Sequence, residues 1–535
     1  MFFKTLIPNV RQKECEKAGV ENMAALNSTR RDFLKRLSLG AASLALKGCS
    51  NKARHRAGKN KRKPNLLFIW TDEQRADTMA AYGNRKIHSP NLNKLADQSI
   101  VFKNAYVTQP VCSPNRAAVM TGLWPHTCGV TRNNVPLRRN TPCLPELVND
   151  KDYRTAYMGK WHLGDEIFAQ HGFDQWVSIE DLYTKYYTKE RDKSKRSSYH
   201  HFLIEQGYKP DLKDEKFSRQ FAARLPLEHC KPKFLEAKAC DFLRRHRSEP
   251  FMLYVNFLEP HMPFFGPLDN EHDPNMVELP ASFTDPLEDN EPMRYRLLRE
   301  YHRARYGADE NTIRKLIAKY WGLVTQVDLS VGQILKTLDD LQLAENTIVV
   351  YTSDHGDMMG AHNMVEKGVM YNEAVRIPWL MRIGPMGYKQ HIITKNVSQI
   401  NMVPTLLDLM GVHAEKSLPG HSLVPSIKGG GLAEDYIFIE WNPGPESVRR
   451  LKGGSRIASE EQIRRLSNEH NRAVISPDGW KLCLSDIDKS QLFDLNKDPC
   501  ETTNLFDSGK FADVISRLRQ KIHHWQENVQ DHTNL

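Results

Sequence analysis

The chain has 535 residues, of which 26% are charged and 40% are hydrophobic, and its formal net charge is +10. This is the composition of an ordinary soluble globular protein, long enough for about two to four domains. Residues 1–64 contain 16 Lys and Arg against 4 Asp and Glu, a net +12, which leaves −2 for residues 65–535. Because nucleic-acid binding requires a basic face on the folded part, this near-neutral body argues against nucleic acid as a partner.

The positive charge belongs to an N-terminal segment with the features of an export signal. Residues 28–35, Ser-Thr-Arg-Arg-Asp-Phe-Leu-Lys, resemble a twin-arginine signal, and a modest apolar stretch follows at residues 37–46. A surface helix with a chance Arg-Arg pair is the alternative. We predict an export signal over residues 1–49, with Met23 as an alternative start, and a basic linker over residues 50–64.

The end of this segment bears on membrane attachment. Residues 46–49, Leu-Lys-Gly-Cys, resemble a lipoprotein box in which Cys49 is acylated after cleavage, but Lys47 departs from the small or aliphatic residue usual there. No apolar run beyond the N-terminus is long enough to span a bilayer. The predicted location is therefore the periplasm of a bacterium or, with a lipid anchor at Cys49, the surface of its cell envelope.

Strands and helices alternate through residues 65–430. The pattern predicts strands at 65–70, 100–107, 251–257 and 347–352, and helices at 91–99 and 311–341. This alternation predicts an α/β fold with a large, mostly parallel sheet flanked by helices. Residues 181–247 are rich in Lys and Arg, and they are predicted to be a surface insertion that shapes a cleft.

The pattern changes after residue 430. Short strands are predicted at 436–440, 472–476, 480–484 and 491–495, followed by a helix at 511–528. Turn residues separate the strands, and no long helix lies between them, so neighbouring strands are expected to run antiparallel. Residues 431–535 are therefore predicted to form a smaller subdomain, an antiparallel sheet with one helix.

Acidic and histidine side chains follow three of the predicted strands. Asp72 and Glu73 come after the first strand, His261 comes after a central one, and Asp354 and His355 come after the last strand of the sheet. In open α/β sheets ligands bind beyond the carboxyl ends of the strands, so these residues are expected to meet there. Carboxylate oxygens suit Ca²⁺ or Mg²⁺, and the sequence therefore predicts a metal site at this edge.

Two short stretches carry a rarer pattern. Residues 112–122 read Cys-Ser-Pro-Asn-Arg-Ala-Ala-Val-Met-Thr-Gly, and residues 159–164 read Gly-Lys-Trp-His-Leu-Gly. A lone Cys among small residues is usually a buried apolar filler. Together, however, the two motifs resemble the signatures of the type I sulfatase family, in the alkaline-phosphatase-like superfamily. Further segments that resemble the family are Asn65–Asp72, Pro260–Pro263, Asp354–Asp357, Lys367 with Tyr371–Pro378, and Gln491–Glu501.

The resemblance implies a sulfatase catalytic domain over residues 65–430 in which Cys112 is oxidised to formylglycine. The partner for this step is a formylglycine-generating or an anaerobic sulfatase-maturing enzyme, and the hydrated aldehyde is the family's nucleophile. A twin-arginine substrate is exported folded, so modification in the cytoplasm precedes export. The ligands implied for one divalent cation, Ca²⁺ with Mg²⁺ as the alternative, are Asp72, modified Cys112, Asp354, His355 and, as a candidate fifth, Glu73.

The resemblance also implies the residues that act on the ester. Arg116 anchors the hydrate, His162 assists it, Lys160 and Lys367 neutralise charge on the sulfate oxygens, and His261 protonates the leaving oxygen. These roles predict the hydrolysis of a sulfate ester. The substrate is expected to be a sulfated small molecule or, more specifically, a sulfated glycan.

Two other functions stay open at this point. Many sulfatases carry Asn at the position of His355, whereas Asp-His also occurs in choline-sulfatase-like and phosphonate monoester hydrolase branches. This leaves room for a phosphonate or phosphate ester as the substrate. A chain in which Cys112 stays unmodified would instead be a paralogue that binds sulfated glycans without hydrolysing them.

Overall fold

The structure is a computed structural model that describes residues 62–387, 389–413, 417–431, 435–444 and 455–535. Arg62–Leu535 forms one compact unit. The predicted export signal over residues 1–49, the lipidation of Cys49 and most of the predicted linker over residues 50–64 lie outside the described residues. Within the described part, no helix combines the length and the apolar character that crossing a bilayer requires.

The larger of two sheets forms the centre of the described part and contains nine strands there. The strands are β1 (Asn65–Asp72), β2 (Ile100–Tyr106), β3 (Arg154–Gly159), β4 (Gln175–Val177), β5 (Phe251–Pro260), β6 (Thr347–Ser353), β7 (Arg376–Ile377), β8 (Trp379–Ile383) and β9 (His391–Ser398). Their order is β4-β3-β5-β1-β6-β8-β2-β7, and β9 pairs with β2. The first five strands in this order are parallel, and β8 is antiparallel to both neighbours. This mixed, mostly parallel sheet confirms the predicted fold class.

Helices cover both faces of this sheet. They are α1 (Pro90–Asp97), α2 (Cys112–Thr121), α3 (Pro125–Cys128), α4 (Leu144–Val148), α5 (Ser198–Glu205), α6 (Arg219–Ala222), α7 (Lys231–Arg245), α8 (Met293–Tyr306), α9 (Glu310–Asp340), α10 (Asn372–Val375), α11 (Met402–Leu409), α12 (Val424–Ile427), α13 (Glu460–Leu466) and α14 (Ala512–Val529). Along β1, Leu66 and Phe68 pack with α2, α4 and α11, whereas Leu67 and Ile69 pack with α1, α7 and α9. Side chains of a strand alternate between its faces, so a strand buried on both reads as a continuous apolar run.

The carboxyl ends of the central strands meet at one edge of the sheet. β1 lies between β5 and β6, and its last residue, Asp72, pairs with Pro260. On the far side of β5, the last residue of β3, Gly159, pairs with Asn256. Because these four strands are parallel, the residues that follow them collect at this edge.

Gly159 is the residue that allows β3 to end so close to β5. Its φ is +113°, and a Cβ atom there would lie 1.8 Å from the carbonyl oxygen of Asn256. Glycine alone lacks the Cβ atom that this approach excludes. The backbone N–H of Lys160 then donates to the same carbonyl at 3.3 Å. The glycine therefore fixes where the Lys160 side chain begins.

The smaller sheet is antiparallel and lies in the C-terminal part of the chain. Among the described residues its strands, in order of pairing, are β10 (Ile437–Trp441), β11 (Asn471–Ile475), β12 (Trp480–Ser485) and β13 (Gln491–Asp494). Helix α14 packs Leu518 and Ile522 against Val474 and Leu482 of this sheet. The antiparallel sheet with one helix is confirmed, and every boundary lies within one residue of its predicted position.

The region 181–247 is only in part the predicted surface insertion. Helix α7 buries Phe234, Leu235, Phe242 and Leu243 against β5 and α9, so it belongs to the core. The apolar residues recur at helical spacing on one face, while Lys and Arg occupy the other. The count of charges concealed this periodicity, and for α7 the prediction of a surface position was wrong.

Candidate active site

Cys112 begins helix α2 directly beyond the edge where the strands end. The side chain is buried, and its Sγ atom lies 3.2 Å from His355 Nε2 and 3.7 Å from Asp72 Oδ1. Burial and the nearby Asp72 carboxylate raise the pKa of the Cys112 thiol to about 12. The unmodified thiol therefore stays protonated at neutral pH and is a weak nucleophile.

The carboxylates of Asp72 and Asp354 each direct one oxygen atom towards His355 and the other towards Arg116. The Oδ1 atoms of Asp72 and Asp354 lie 3.8 and 3.6 Å from His355 Nε2. Their Oδ2 atoms instead accept hydrogen bonds from Arg116, at 3.3 and 2.7 Å respectively. The ligand atoms of Asp72, Cys112, Asp354 and His355 all lie within 4.8 Å of one another. The structure thus brings together the four residues that the sequence placed in one metal site.

The chemistry of these donors fits a divalent cation. All four side chains are buried. His355 Nδ1 lies 2.8 Å from the carbonyl oxygen of Gly356. Donation of the Nδ1 hydrogen to this carbonyl leaves the Nε2 lone pair directed at the centre, which is the usual arrangement for a metal-binding histidine. Carboxylate oxygens and a neutral imidazole nitrogen are both accepted ligands of divalent metals.

Glu73 turns towards a different set of partners. Its Oε2 accepts a hydrogen bond from Lys367 Nζ at 2.6 Å and lies 3.4 Å from His261 Nε2. The possible ligand atom of Glu73 lies close to those of His261 and Asp72, in a group that does not include Cys112. Burial raises the pKa of Glu73 well above its ordinary value, although the Lys367 charge opposes the shift. Coordination of the cation by Glu73 stays a prediction.

Arg116 joins the two carboxylates to the ends of β3 and β5. Besides its bonds to Asp72 and Asp354, its Nη1 donates to the carbonyl oxygen of Lys160 at 2.8 Å and to Asn256 Oδ1 at 3.1 Å. The guanidinium also lies 4.7 Å from the centroid of a Trp70 ring. The side chain is fully buried, so its observed contacts are those of a group that holds the carboxylates of Asp72 and Asp354 in place.

Two buried lysines approach the centre from different directions. Lys160 follows β3 and hydrogen-bonds to Asp72 Oδ2, while Lys367 pairs with Glu73. Burial lowers the pKa of each ammonium group, but the paired carboxylates outweigh this effect and raise both above the usual value. Both lysines therefore remain cationic at neutral pH, as an anionic ester requires.

His162 is held in place by a carboxylate that follows it in the chain. Glu166 accepts the backbone N–H groups of Trp161 and His162 at 2.8 and 2.7 Å. His162 Nε2 lies 3.1 Å from Asn134 Oδ1, and its ring centroid lies 4.5 Å from that of Tyr183. Burial lowers the pKa of His162 well below its usual value, so the ring is neutral.

His261 lies at the end of β5, on the side of the centre occupied by Glu73. Its Nδ1 lies 2.8 Å from the carbonyl oxygen of Met262, and Nε2 faces Glu73. Burial lowers the pKa of His261 well below its usual value, and the Lys367 charge adds to this shift. All predicted site residues thus collect at one edge of the sheet, in two adjoining groups.

Three further residues, to which the motifs assign no role, hold this arrangement together. Asn115 donates from Nδ2 to the carbonyl oxygen of Asp354 at 2.5 Å and to Gln399 Oε1 at 2.6 Å. Asn256 and Glu166 orient Arg116 and His162 as described above. Asn115 lies inside the cysteine motif, and this was its one signal. Nothing in the pattern around Asn256 or Glu166 distinguishes them from ordinary polar residues.

Comparison with known proteins agrees with this geometry. A family model described as Sulfatase matches residues 64–412. The chain is 29% identical over 491 residues to the uncharacterized sulfatase YidJ of Escherichia coli, and the match covers 88% of each protein. It is 25% identical over 570 residues to an N-acetylglucosamine-6-O-sulfatase of Bacteroides thetaiotaomicron, and this match covers 96% of each.

A solved structure shows the same fold. The phosphonate monoester hydrolase SpPMH from Silicibacter pomeroyi matches with a TM-score of 0.71 at 21% identity, over 88% of this chain and 96% of that one. The family match extends over well more than half of the chain and includes the residues collected at the sheet edge. The chain belongs to the type I sulfatase family of the alkaline-phosphatase-like superfamily, and it is a sulfuric ester hydrolase.

Proposed function

We propose that the protein hydrolyses sulfate esters of a sulfated carbohydrate, with a formylglycine formed from Cys112 and one divalent cation. The observation that carries this proposal is the meeting of Cys112 with two carboxylates, a histidine and two buried lysines. The high pKa of the thiol supports a need for modification, because the protonated thiol is a weak nucleophile. The likeness to an N-acetylglucosamine-6-O-sulfatase supports a carbohydrate substrate.

The metal centre would be held by the chain's own carboxylates and imidazole. Asp72, Asp354, His355 and the modified residue 112 are the proposed ligands, with Ca²⁺ as the cation and Mg²⁺ as the alternative. When present, formylglycine supplies a hydrated aldehyde as nucleophile and the cation supplies polarisation of a sulfate oxygen. Arg116 keeps the two aspartates in place through its paired hydrogen bonds.

The other side chains would bind the anion and move protons. Lys160 and Lys367 neutralise the negative oxygens of the bound ester. In neutral His162, Nε2 donates to Asn134 and Nδ1 keeps a lone pair, and this buried atom has no hydrogen-bond partner in the described part of the chain. His162 Nδ1 would therefore be free to accept a proton from the nucleophile. His261 would protonate or polarise the leaving oxygen of the sugar, and its lowered pKa favours polarisation by the neutral ring.

The proposal is tested by mass spectrometry and activity on one preparation. Protein produced with a sulfatase-maturing enzyme is digested, and the peptide containing residues 112–116 is examined for conversion of the thiol into an aldehyde. We expect converted protein to release sulfate from sulfated sugars, and Cys112→Ala to be folded and inactive. Activity in protein with an unmodified thiol, or in the variant, would contradict the proposed nucleophile. An unmodified, inactive chain that binds sulfated glycans would support the binding paralogue.

A phosphonate or phosphate ester is the second candidate substrate. His355, 3.2 Å from Cys112 Sγ, and the fold shared with a phosphonate monoester hydrolase both favour it. Turnover of matched aryl sulfate and aryl phosphonate esters separates the two candidates, because only the transferred group differs. We expect the higher kcat/KM for the sulfate. A preference for the phosphonate would favour the second candidate.

Export by the twin-arginine route, with modification before export, is a further part of the proposal. It is supported by Arg30 and Arg31 in the N-terminal motif, and a lipid on Cys49 would fix the protein to the cell envelope. Cell fractionation of the full chain tests it. We expect the paired change of Arg30 and Arg31 to Lys to retain the protein in the cytoplasm, and Cys49→Ala to release it from membranes. Unchanged export in the paired variant would contradict this route.

A further inference from the structure

Three charged side chains form a buried cluster beside the active site. Glu180, which follows β4, accepts a hydrogen bond from Arg219 Nε at 2.8 Å and another from Lys231 Nζ. The side chains of Glu180, Arg219 and Lys231 are 1%, 16% and 6% exposed. Two cations share one carboxylate, so the cluster carries an excess of positive charge that no residue within it neutralises.

This cluster adjoins both of the proposed catalytic histidines, His162 and His261. The ring of Tyr183 packs on His162, and its hydroxyl accepts a hydrogen bond from Arg219 Nη2 at 2.8 Å. On the other side, Arg219, Lys231 and His261 line one small cavity of about 20 Å³. Burial is the main cause that lowers the pKa values of His162 and His261, but the Arg219 charge contributes to both shifts. The guanidinium is therefore close to both rings.

The guanidinium group of Arg219 has a hydrogen-bond donor that is not used within the described part of the chain. Its Nε and Nη2 are used by Glu180 and Tyr183, whereas Nη1 makes no hydrogen bond with the described part of the chain. Arginine presents its N–H groups in a planar fork that matches carboxylate and sulfate oxygens. Because Glu180 and Tyr183 fix the side chain from behind, little conformational freedom remains to be lost when a ligand binds.

One further carboxyl group lines the same cavity. Glu259 Oε2 is buried and has no hydrogen-bond partner among the described residues. Burial raises the pKa of Glu259 to about 7, although the Lys231 charge opposes the shift. Near neutral pH this group carries only part of a negative charge. The surroundings of Arg219 therefore remain positive on balance.

We propose that Arg219 recognises a second anionic group of the substrate, a carboxylate or a further sulfate, beside the sulfate that is hydrolysed. The inference rests on the proposed sulfatase function. The sulfate would face Lys160 and Lys367, and the sugar would extend from the leaving oxygen past His261. Arg219 lines the same cavity as His261, so it would meet the sugar rather than the reacting sulfur. The substrate class is thus a sulfated sugar with an additional acidic group.

The inference is tested by binding, which does not depend on turnover. The full chain carrying Cys112→Ala is titrated by calorimetry with glucosamine 6-sulfate, with its N-sulfated derivative, and with a 6-sulfated disaccharide containing a uronic acid. We expect the second anion to lower the Kd by tenfold or more. With Arg219→Gln added, this gain should fall to threefold or less, and Arg219→Lys should retain part of it. The derivative that gains more affinity identifies the second anion as sulfate or carboxylate.

A matched control lies on the same segment. Arg224 is exposed, its guanidinium lies over the ring of Phe265, and it makes no salt bridge with Glu180. In Arg224→Gln, the second anion should therefore lower the Kd as much as it does in the parent chain. Thermal melting checks that Arg219→Gln is folded, which is expected because Glu180 keeps Lys231 as its partner.

The outcomes separate this inference from the function on which it rests. The inference is overturned if the second anion does not increase the affinity, or if it increases the affinity equally in Arg219→Gln. This holds even if the matured enzyme releases sulfate. A gain that depends on Arg219 upholds the subsite even if the matured enzyme hydrolyses no sulfate ester, in which case the proposed function fails alone. In active enzyme, kcat/KM for each doubly anionic sugar relative to kcat/KM for glucosamine 6-sulfate should fall threefold or more in Arg219→Gln.

Discussion

Buried charges that compensate one another define the candidate active site at the scale of single residues. Burial raises the pKa of Asp72, but Lys160 and the neighbouring cations outweigh this effect and hold the pKa well below its usual value. Glu73 and Lys367 form a second buried pair, in which burial outweighs the Lys367 charge and raises the pKa of Glu73. Each charge has its partner within hydrogen-bonding distance, so the loss of one group is expected to leave another buried without compensation.

Arg116 provides the clearest case. Replacement by Met leaves the Oδ2 atoms of Asp72 and Asp354 without the guanidinium that both accept from, so we expect the free energy of unfolding to fall by about 3–5 kcal/mol. Urea unfolding measures the change. The exposed Arg224 is the control, and Arg224→Met should alter stability by less than about 0.5 kcal/mol. Equal losses in both variants would show that the paired hydrogen bonds contribute little.

The proposed metal ligands can be tested separately from catalysis. We expect a chelator to abolish sulfate release and added Ca²⁺ or Mg²⁺ to restore it. Asp354→Asn keeps the shape of the side chain but removes its charge, so the affinity for the cation should fall by at least about tenfold. Calorimetric titration of chelator-treated protein with each cation measures this. Unchanged affinity in the variant would remove Asp354 from the ligand set.

At the scale of elements, the central strands supply the chemistry and the connections supply the approach to it. β1, β3, β5 and β6 end at the same edge, whereas Tyr183 and Arg219 lie on the connection between β4 and β5. Within this connection Glu180, three residues after β4, binds both Arg219 and Lys231. One carboxylate near the end of β4 thus holds two cations of the connection in place.

The spacing of β3 and β5 yields a steric prediction. In Gly159→Ala the new Cβ would lie 1.8 Å from a backbone oxygen, in addition to the strain of a φ of +113°. We expect a loss of about 3 kcal/mol or more in stability, with lower activity because Lys160 is displaced. Gly207 has a φ of +84° and nothing within 4 Å, so Gly207→Ala should lose only about 1–2 kcal/mol in urea unfolding. Similar losses in the two variants would refute the steric argument.

Glu180 gives a prediction about pH. Burial raises its pKa, but Arg219 and Lys231 outweigh burial and lower the value from 4.5 to about 2. The resulting stabilisation is present above pH 4.5 and is lost as the pH falls towards 2, because the unfolded state binds the proton first. Unfolding free energies between pH 7 and 3 should fall less steeply in Glu180→Gln than in the parent. The exposed Glu205→Gln is the control and should follow the parent curve. Parallel curves in all three would contradict the pairing.

The sequence indicated the elements whose pattern is local and missed those whose role depends on contacts. β1, β5 and β6 were found because continuous apolar runs precede polar residues. β3 was missed because its sequence, Arg-Thr-Ala-Tyr-Met-Gly, is neither a continuous apolar run nor a regular alternation. The positions of Cys112 and Asp354 followed from motifs. The partners that orient them, such as Asn256, are defined only by distances in the folded chain.

At the scale of the whole molecule, the smaller sheet supports the loop that carries Lys367. Arg294 on α8 donates to the carbonyl oxygen of Gly368 at 2.6 Å and pairs with Glu469, just before β11. Its guanidinium lies 4.4 Å from the centroid of a Trp441 ring on β10. Residues of the C-terminal part therefore hold the residue next to a proposed sulfate-binding lysine, and the two sheets are expected to unfold together.

Lys481 on β12 tests this dependence. It pairs with Glu501 at 2.6 Å and also donates to the carbonyl oxygen of Met370, three residues beyond Lys367. Lys481→Met should lower the free energy of unfolding by about 3 kcal/mol, because Glu501 loses its buried partner, and kcat should fall as well. Calorimetry of the parent should show one transition. Two separate transitions would contradict the coupling of the sheets.

The separation between strand ends and connections has a practical consequence for redesign. Asp72 ends a strand of the sheet and Lys160, His261 and Asp354 each directly follow one, whereas Tyr183 and Arg219 belong to the stretch between β4 and β5, which lie on opposite sides of β3. Exchanging residues 178–230 for the equivalent stretch of a relative therefore leaves β1, β3, β5 and β6 unchanged. Under the proposed function, selectivity and reactivity therefore reside in separable parts of this architecture.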